Sequence, residues 1–240
     1  AIMVVHLHGL MCDMDKIRNL AKKYNLKIIE DAAQAHGSSF KNKLPGYYSN
    51  VATFSFYPTK NLGAVGEGGA IITNNKNIYE KTKRMRAWSH KKNEFYEVSY
   101  NYRMTEFAAA SLLSKLRFLN NDVKKRILIA NYYKKLLKIK TYSNFNNNIK
   151  KHSFHVFAIK VDKNLRSNIQ KKLSNYGIQT NIHYPYSLSK LNIFKKTNKS
   201  TKTPVANKIS KELLSLPIYP ELKHKQIVYV ANTLNNILNK

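Results

Sequence analysis

The sequence predicts an α/β protein in which a mainly parallel, incomplete sheet is followed by a small α+β domain. Three observations carry that expectation. Residues 3–31 run strand, amphipathic helix, strand, the order that joins parallel neighbours through a right-handed crossover. Two further strand-like runs follow at 51–56 and 69–73. Beyond an Asn-rich stretch at 144–150, shorter strand and helix patterns alternate to the end of the chain. With 240 residues, 43% of them hydrophobic and 23% charged, the chain can bury a core and is not a disordered tail.

Each element has its own justification. Residues 3–8 form a β-branched apolar run that stops at Gly9, as a buried strand does. Asp13 is placed to cap the next helix, Asp15 favours its positive end, and Met14, Ile17, Leu20, Ala21 and Tyr24 recur at helical spacing until Asn25. Residues 26–31 make the second strand and leave Asp31 at its carboxyl end, where ligands of such sheets bind. A polar loop over 37–50 precedes the strand at 51–56, and a Gly-rich stretch separates that strand from the one at 69–73. A helix is expected over 75–87. A long helical pattern then runs from Thr105 through Leu137, with a break expected at Asn120 and Asn121. The small domain reads as a strand at 154–161, a helix at 163–175, a strand at 178–183 and two late helices. The expected domains are 1–118, part of the large domain, and 119–240, the small one.

Composition bounds the partners. The 42 Lys and Arg against 13 Asp and Glu leave a net charge of +29, which favours an anionic partner: nucleic acid, a membrane surface or phosphorylated small molecules. The alternative is that Lys and Asn have accumulated at exposed positions, as in Asn146, Asn147 and Asn148 or Lys195 and Lys196. A single cysteine, Cys12, excludes an internal disulfide framework and a cysteine-based zinc cluster. No apolar run approaches the roughly 18 residues of a membrane span, and residues 1–5 are too short for a signal peptide; no membrane insertion and a cytoplasmic location are expected. The chain opens on Ala1 and enters at once on a strand, so a fragment is expected.

The stretch from Ser55 to Gly69 holds the chemistry. Lys60 follows a strand and Pro58 and is succeeded by Gly63, Gly66, Gly68 and Gly69, so the backbone beside it can let a ligand approach closely. The glycines match neither the dinucleotide fingerprint nor the P-loop order. A lysine held this way can form a Schiff base; the ordinary alternative is a solvated surface group. Asp31 is either a turn former or, in a pyridoxal-phosphate site, the carboxylate that keeps the pyridinium nitrogen protonated. Ser55 is either a capping hydroxyl or a phosphate donor.

Several segments together then resemble one family. IIEDAAQAHG over 28–37, FSFYPTKNLG over 54–63, GGA over 68–70, YNYRMTE over 100–106, GIQTNIHYP over 177–185 and LSLPIYPEL over 214–222 are similar, in order, to the DegT/DnrJ/StrS family of pyridoxal-phosphate nucleotide-sugar aminotransferases. The resemblance covers essentially the whole chain. It implies a type I pyridoxal-phosphate transferase fold, like that of aspartate aminotransferase. It implies that Lys60 binds the cofactor covalently and shuttles protons, that Asp31 pairs with the pyridinium nitrogen, and that Gln34 lies by the cofactor's phenolic oxygen. Ser55 would bind the phosphate, and Asn101 would reach the phosphate in a neighbouring subunit, which implies a homodimer. The implied substrates are an amino-acid donor, usually glutamate, and a keto-sugar on a nucleoside diphosphate, for surface-polysaccharide or O-antigen (lipopolysaccharide) synthesis in a bacterium.

Ser89, His90, Lys91 and Lys92 with Ile182–Pro185 resemble the branch acting on 3-keto-6-deoxy sugars, in which Tyr57, His183 and Tyr184 would face the sugar. The chain departs from that branch at Tyr186, Ser187, Leu188 and Ser189. It also lacks about a hundred residues that family members carry first, including a helix N-terminus that holds the cofactor phosphate; weak or absent activity is expected of this chain alone. The other reading is a noncatalytic remnant or a basic binding protein. Lesser candidates are His6 and His8 on one strand face with Asp13 as metal ligands, a basic aromatic loop at Trp88 and His90 for nucleic acid, where a solvated loop is the better expectation, and basic C-terminal helices on an anionic membrane.

Overall fold

The computed structural model describes residues 1–87, 90–91, 94–95, 98–139, 141, 149–194 and 202–239. Trp88, Ser89, Lys92, Asn146, Asn147, Asn148, Lys195 and Lys196 lie outside the described residues. The chain divides into two compact units. Unit 1 holds residues 1–124 and 145–155, and unit 2 holds 125–144 and 156–240. The division thus falls inside a helix, six residues past the expected boundary, and a later segment returns to unit 1.

In unit 1, β1 (Ile2–Val5), β2 (Ile28–Asp31) and β4 (Val51–Ser55) run parallel, and β5 (Gly69–Ile72) is antiparallel to β4, in the order β1-β2-β4-β5. The predicted βαβ unit is present. Its helix α1 (Met14–Lys23) is capped by Asp13, whose side chain accepts from the Lys16 N–H, and it ends beside Asn25 in the left-handed region at φ 49°, a conformation Asn tolerates. Val4, Met11, Met14, Ala21, Ile28 and Phe40 form the core beneath it. β3 (Ser39–Phe40) pairs with β8 (Lys150–Lys151), which ties the returning segment to the rest of unit 1.

The first strand is shorter than expected. Residues 7–9 form a single 3₁₀ turn with His8 at φ 60°, so His6 and His8 do not share a strand face. His6 is instead fully buried against Glu30, Nε2 to Oε2 at 2.6 Å, and Glu30 also accepts from the Gly46 N–H. That neighbour occupies the ring which the sequence offered to a metal.

α2 (Lys76–Arg86) is capped by Asn75, and β6 (His90–Lys91) and β7 (Glu94–Phe95) form a two-residue ladder. The long helical pattern divides into α3 (Glu106–Leu116) and α4 (Leu119–Leu136). The break falls at Arg117 and Phe118, not at Asn120 and Asn121. Those two Asn lie in the first turn of α4, where unpaired N–H groups make poor helix formers cheap.

In unit 2, β9 (Phe157–Lys160) pairs antiparallel with β10 (Leu213–Leu216), and α5 (Arg166–Asn175) and α7 (His224–Leu238) pack together. α6 (Pro204–Glu212) starts on a proline and leads directly into β10. The strand expected at 178–183 is a single bridge, Asn181 to Ser215. Side chains take the backbone there: Gln170 Nε2 donates to Thr180 O at 3.1 Å, and Asn181 Oδ1 accepts from the Ile182 N–H at 2.7 Å, which competes with a ladder.

Candidate active site

Asp31 and Ser55 end two neighbouring parallel strands. The pairing Asp31 to Thr53 sets their register, and the Ala32 N–H extends it by donating to Thr53 O at 2.8 Å. Chain polarity therefore brings Asp31, Ser55 and the turn after β4 to one edge of the sheet, the carboxyl edge at which α/β sheets bind ligands.

The turn after β4 is closed by its own backbone. The Lys60 N–H donates to Tyr57 O at 2.9 Å, and the Ala64 N–H to Phe56 O at 2.8 Å. Gly63 lies against Pro58, where an added Cβ would collide with the Pro58 carbonyl. Lys60 is half-buried. Burial pushes its ammonium below the ordinary lysine range, and the Asp31 carboxylate works in the opposite direction.

The loop after β2 supplies Gln34 and His36. Gln34 is buried, and its Oε1 accepts from the His8 N–H at 2.6 Å, which joins it to the end of β1. Asp31 Oδ1 accepts from the Ala33 N–H at 3.0 Å. Ser55 Oγ accepts from the Tyr57 N–H at 3.2 Å, an arrangement that keeps the hydroxyl proton for another acceptor. Tyr57 is exposed beside it.

Sequence reasoning assigned no role to His36, which is 4% exposed and has both ring nitrogens buried without a partner. Its ring packs 5.2 Å from Phe54 and 5.8 Å from Phe56, centroid to centroid. Burial, then the Lys60 charge, lowers its pKa to about 4. The only signal was its place in the 28–37 motif. Asn61 and Ser153 were also missed; Asn61 Nδ2 donates to Ser153 O at 3.0 Å, a contact across 92 positions that no local pattern announces.

The other expected site residues are Asn101, His183 and Tyr184. Asn101 is exposed, and its Oδ1 accepts from Arg103 Nε at 3.0 Å, between Tyr100 and Tyr102, whose rings stack at 4.8 Å. His183 and Tyr184 belong to unit 2. There His183 Nδ1 lies 2.9 Å from Ser215 Oγ, and the two rings meet edge to face at 5.6 Å.

The residues gathered in unit 1 fit pyridoxal phosphate. Forming a bond to its aldehyde requires an amine that can lose its proton, and burial disfavours the Lys60 ammonium. Its ring nitrogen calls for a carboxylate, and Asp31 is the one that Lys60 senses. Its phosphate calls for hydroxyl donors, and Ser55 has one to give.

Comparison with known proteins shows the family. The DegT/DnrJ/EryC1/StrS aminotransferase family matches residues 1–235. The chain is 40% identical over 241 residues to a dTDP-3-amino-3,6-dideoxy-α-D-galactopyranose transaminase of Aneurinibacillus thermoaerophilus, covering 98% of this chain and 64% of that protein. It is 38% identical over 242 residues, with the same coverage, to a protein of Geobacillus stearothermophilus named a pleiotropic regulatory protein. Among solved structures, NtdA of Bacillus subtilis with bound cofactor PMP superposes with a TM-score of 0.87 at 29% identity, covering 100% of this chain and 56% of that one. The chain therefore spans about 64% of the length of the two relatives.

Proposed function

The chain belongs to the DegT/DnrJ/EryC1/StrS aminotransferase family, and from that premise we propose that it carries the reactive half of a nucleotide-sugar aminotransferase site. The reaction moves an amino group from an amino acid, glutamate in this reading, to a keto-deoxysugar on a nucleoside diphosphate. The observation that carries the proposal is Asp31 at the end of β2 and Lys60 in the turn that follows the neighbouring β4, with the lysine's charge disfavoured by burial.

Pyridoxal phosphate, when bound, supplies an aldehyde that joins an amine and a ring that accepts electrons from the adjacent carbon. Every other task falls to the chain. Lys60 Nζ would provide the amine that holds the cofactor and would be the group that takes and returns the proton during transfer. The Asp31 carboxylate holds a positive charge on the ring nitrogen. Ser55 donates to the phosphate, and Gln34, fixed by the His8 N–H, lies by the phenolic oxygen. The finer assignments rest on the sequence motifs: a 3-keto-6-deoxyhexose held by Tyr57, His183 and Tyr184, a homodimer in which Asn101 reaches the other subunit's phosphate, and a cytoplasmic role in surface-polysaccharide synthesis. No described helix is long and apolar enough to cross a membrane.

Incubation with pyridoxal phosphate, borohydride reduction and peptide mass spectrometry test the proposal. A single pyridoxyl adduct at Lys60, absent in Lys60→Ala, is expected. Labelling scattered over the surface lysines would refute it and favour the reading of a basic binding protein, for which the +29 charge predicts binding that is indifferent to Lys60 and lost steeply with salt.

A further inference from the structure

We infer that Asn61 is a positioning residue for Lys60, tying the lysine's turn to the returning segment at Ser153. The inference rests on the reading of Lys60 given above. Within the turn, the backbone bonds at Lys60 and Ala64 set its shape, but they do not fix it to anything outside β4. Leu62 and Ala64 pack against Ala108 and Leu112 of α3, and the Val65 N–H donates to Ser111 Oγ; side-chain donors hold the turn as well. Lys115 Nζ donates to Gly63 O at 2.8 Å at the far end of the turn, and Asn61 Nδ2 donates to Ser153 O at 3.0 Å next to Lys60 itself.

Ser153 is a fixed anchor. It is fully buried, its N–H donates to Gly9 O at 2.9 Å, and its Oγ lies 2.9 Å from Ser38 Oγ, which donates to Gly9 O at 2.6 Å. Gly9, at φ 95°, has no space for a side chain, since a Cβ there would press on Ser153 Oγ and on the Gln34 carbonyl. One buried node thus joins the end of β1, the loop after β2 that carries Gln34, and the turn that carries Lys60.

The second observation is the unused half of Asn61. Its Oδ1 is buried with no partner, an arrangement that works against stability. At a position serving packing alone, an apolar side chain of similar size would be the more stable choice. Stability forgone at one residue beside a reactive lysine is the pattern expected of a functional constraint. A turn released from Ser153 would let the Lys60 amine reach water, and its ammonium would return to the ordinary lysine range.

Competitive labelling of the cofactor-free 240-residue chain with a limiting amine-reactive reagent across pH, read by peptide mass spectrometry, measures this directly. In the parent chain Lys60 is expected to lose its proton at lower pH than the surface lysines. In Asn61→Leu the Lys60 profile should merge with theirs while thermal stability holds or rises. A parent Lys60 indistinguishable from the surface lysines overturns the inference, as does an unchanged Lys60 profile in a folded Asn61→Leu. Failure of both Asn61→Leu and the smaller Asn61→Ala to fold would also overturn it, by making Asn61 a stability residue. Because the assay contains no cofactor, failure of pyridoxal phosphate to attach at Lys60 is a separate result that bears on the functional reading alone.

Discussion

His36 stays neutral because its ring is sealed between Phe54 and Phe56 near the Lys60 charge. The folded-state pKa of about 4 lies below the ordinary value of 6.5, so between these limits the unfolded chain binds a proton that the folded chain refuses. Stability from this group is complete above pH 6.5 and is lost as pH falls toward 4, by on the order of 3 kcal/mol in full. Denaturant melts of His36→Leu should lack that loss, and at pH 5 the variant should be the more stable protein. A parent and variant with parallel stability profiles would show that the ring is not held neutral. Asp31→Asn keeps an oxygen for the Ala33 N–H but removes the countercharge that raises the Lys60 pKa. Lys60 should then deprotonate at still lower pH in the labelling assay, and cofactor retention should fall. Under the proposed function, whatever transamination the chain supports should fall by about a hundredfold or more in Lys60→Ala, the scale of a lost proton-transfer group.

Capping and close approach decide the elements. Asp13 caps α1 through the Lys16 N–H at 3.3 Å; Asp13→Ala should cost about 1 kcal/mol in urea denaturation and leave cofactor attachment at Lys60 unchanged. Gly63→Ala should behave oppositely, because its Cβ has nowhere to go but into the Pro58 carbonyl, and backbone cannot step aside as a side-chain tip can. The turn must open, so loss of the Lys60 adduct and a destabilisation of about 1–3 kcal/mol are expected; an unimpaired adduct would mean that Lys60 does not depend on this turn. The elements also show where periodicity misleads. The strand expected at 178–183 forms one bridge because polar side chains, among them its own Asn181, bond its backbone, whereas LLSL at 213–216 forms a fully buried strand directly after a helix.

At the scale of the molecule, charge dominates. A net +29 over 240 residues repels itself in the compact state, and salt screens that repulsion over about 10 Å at 0.1 M. The melting temperature should rise between low and moderate sodium chloride, while affinity for anionic ligands, pyridoxal phosphate included, should fall. Calorimetry at matched pH checks the first, and a salt series of cofactor titrations the second. Among the described residues the sheet is also open at both edges: β1 and β5 each have one neighbour, and Met3 at 63% and Val5 at 43% exposure leave apolar side chains in water. Such an edge favours association with further protein.

The sequence by itself determined what local chemistry can write. The βαβ order, the Asp13 cap, Asp31 at a strand end and Lys60 in the stretch that follows a strand come from periodicity, from a side chain that satisfies a nearby N–H group, and from several motifs in one order. The tertiary structure alone decided the rest. Glu30 meets His6 across 24 positions and Asn61 meets Ser153 across 92; the orphaned nitrogens of His36 and the depressed charge of Lys60 arise only when burial removes water. Desolvation and long-range pairing are properties of packed surroundings, and those surroundings exist only once distant segments have come together.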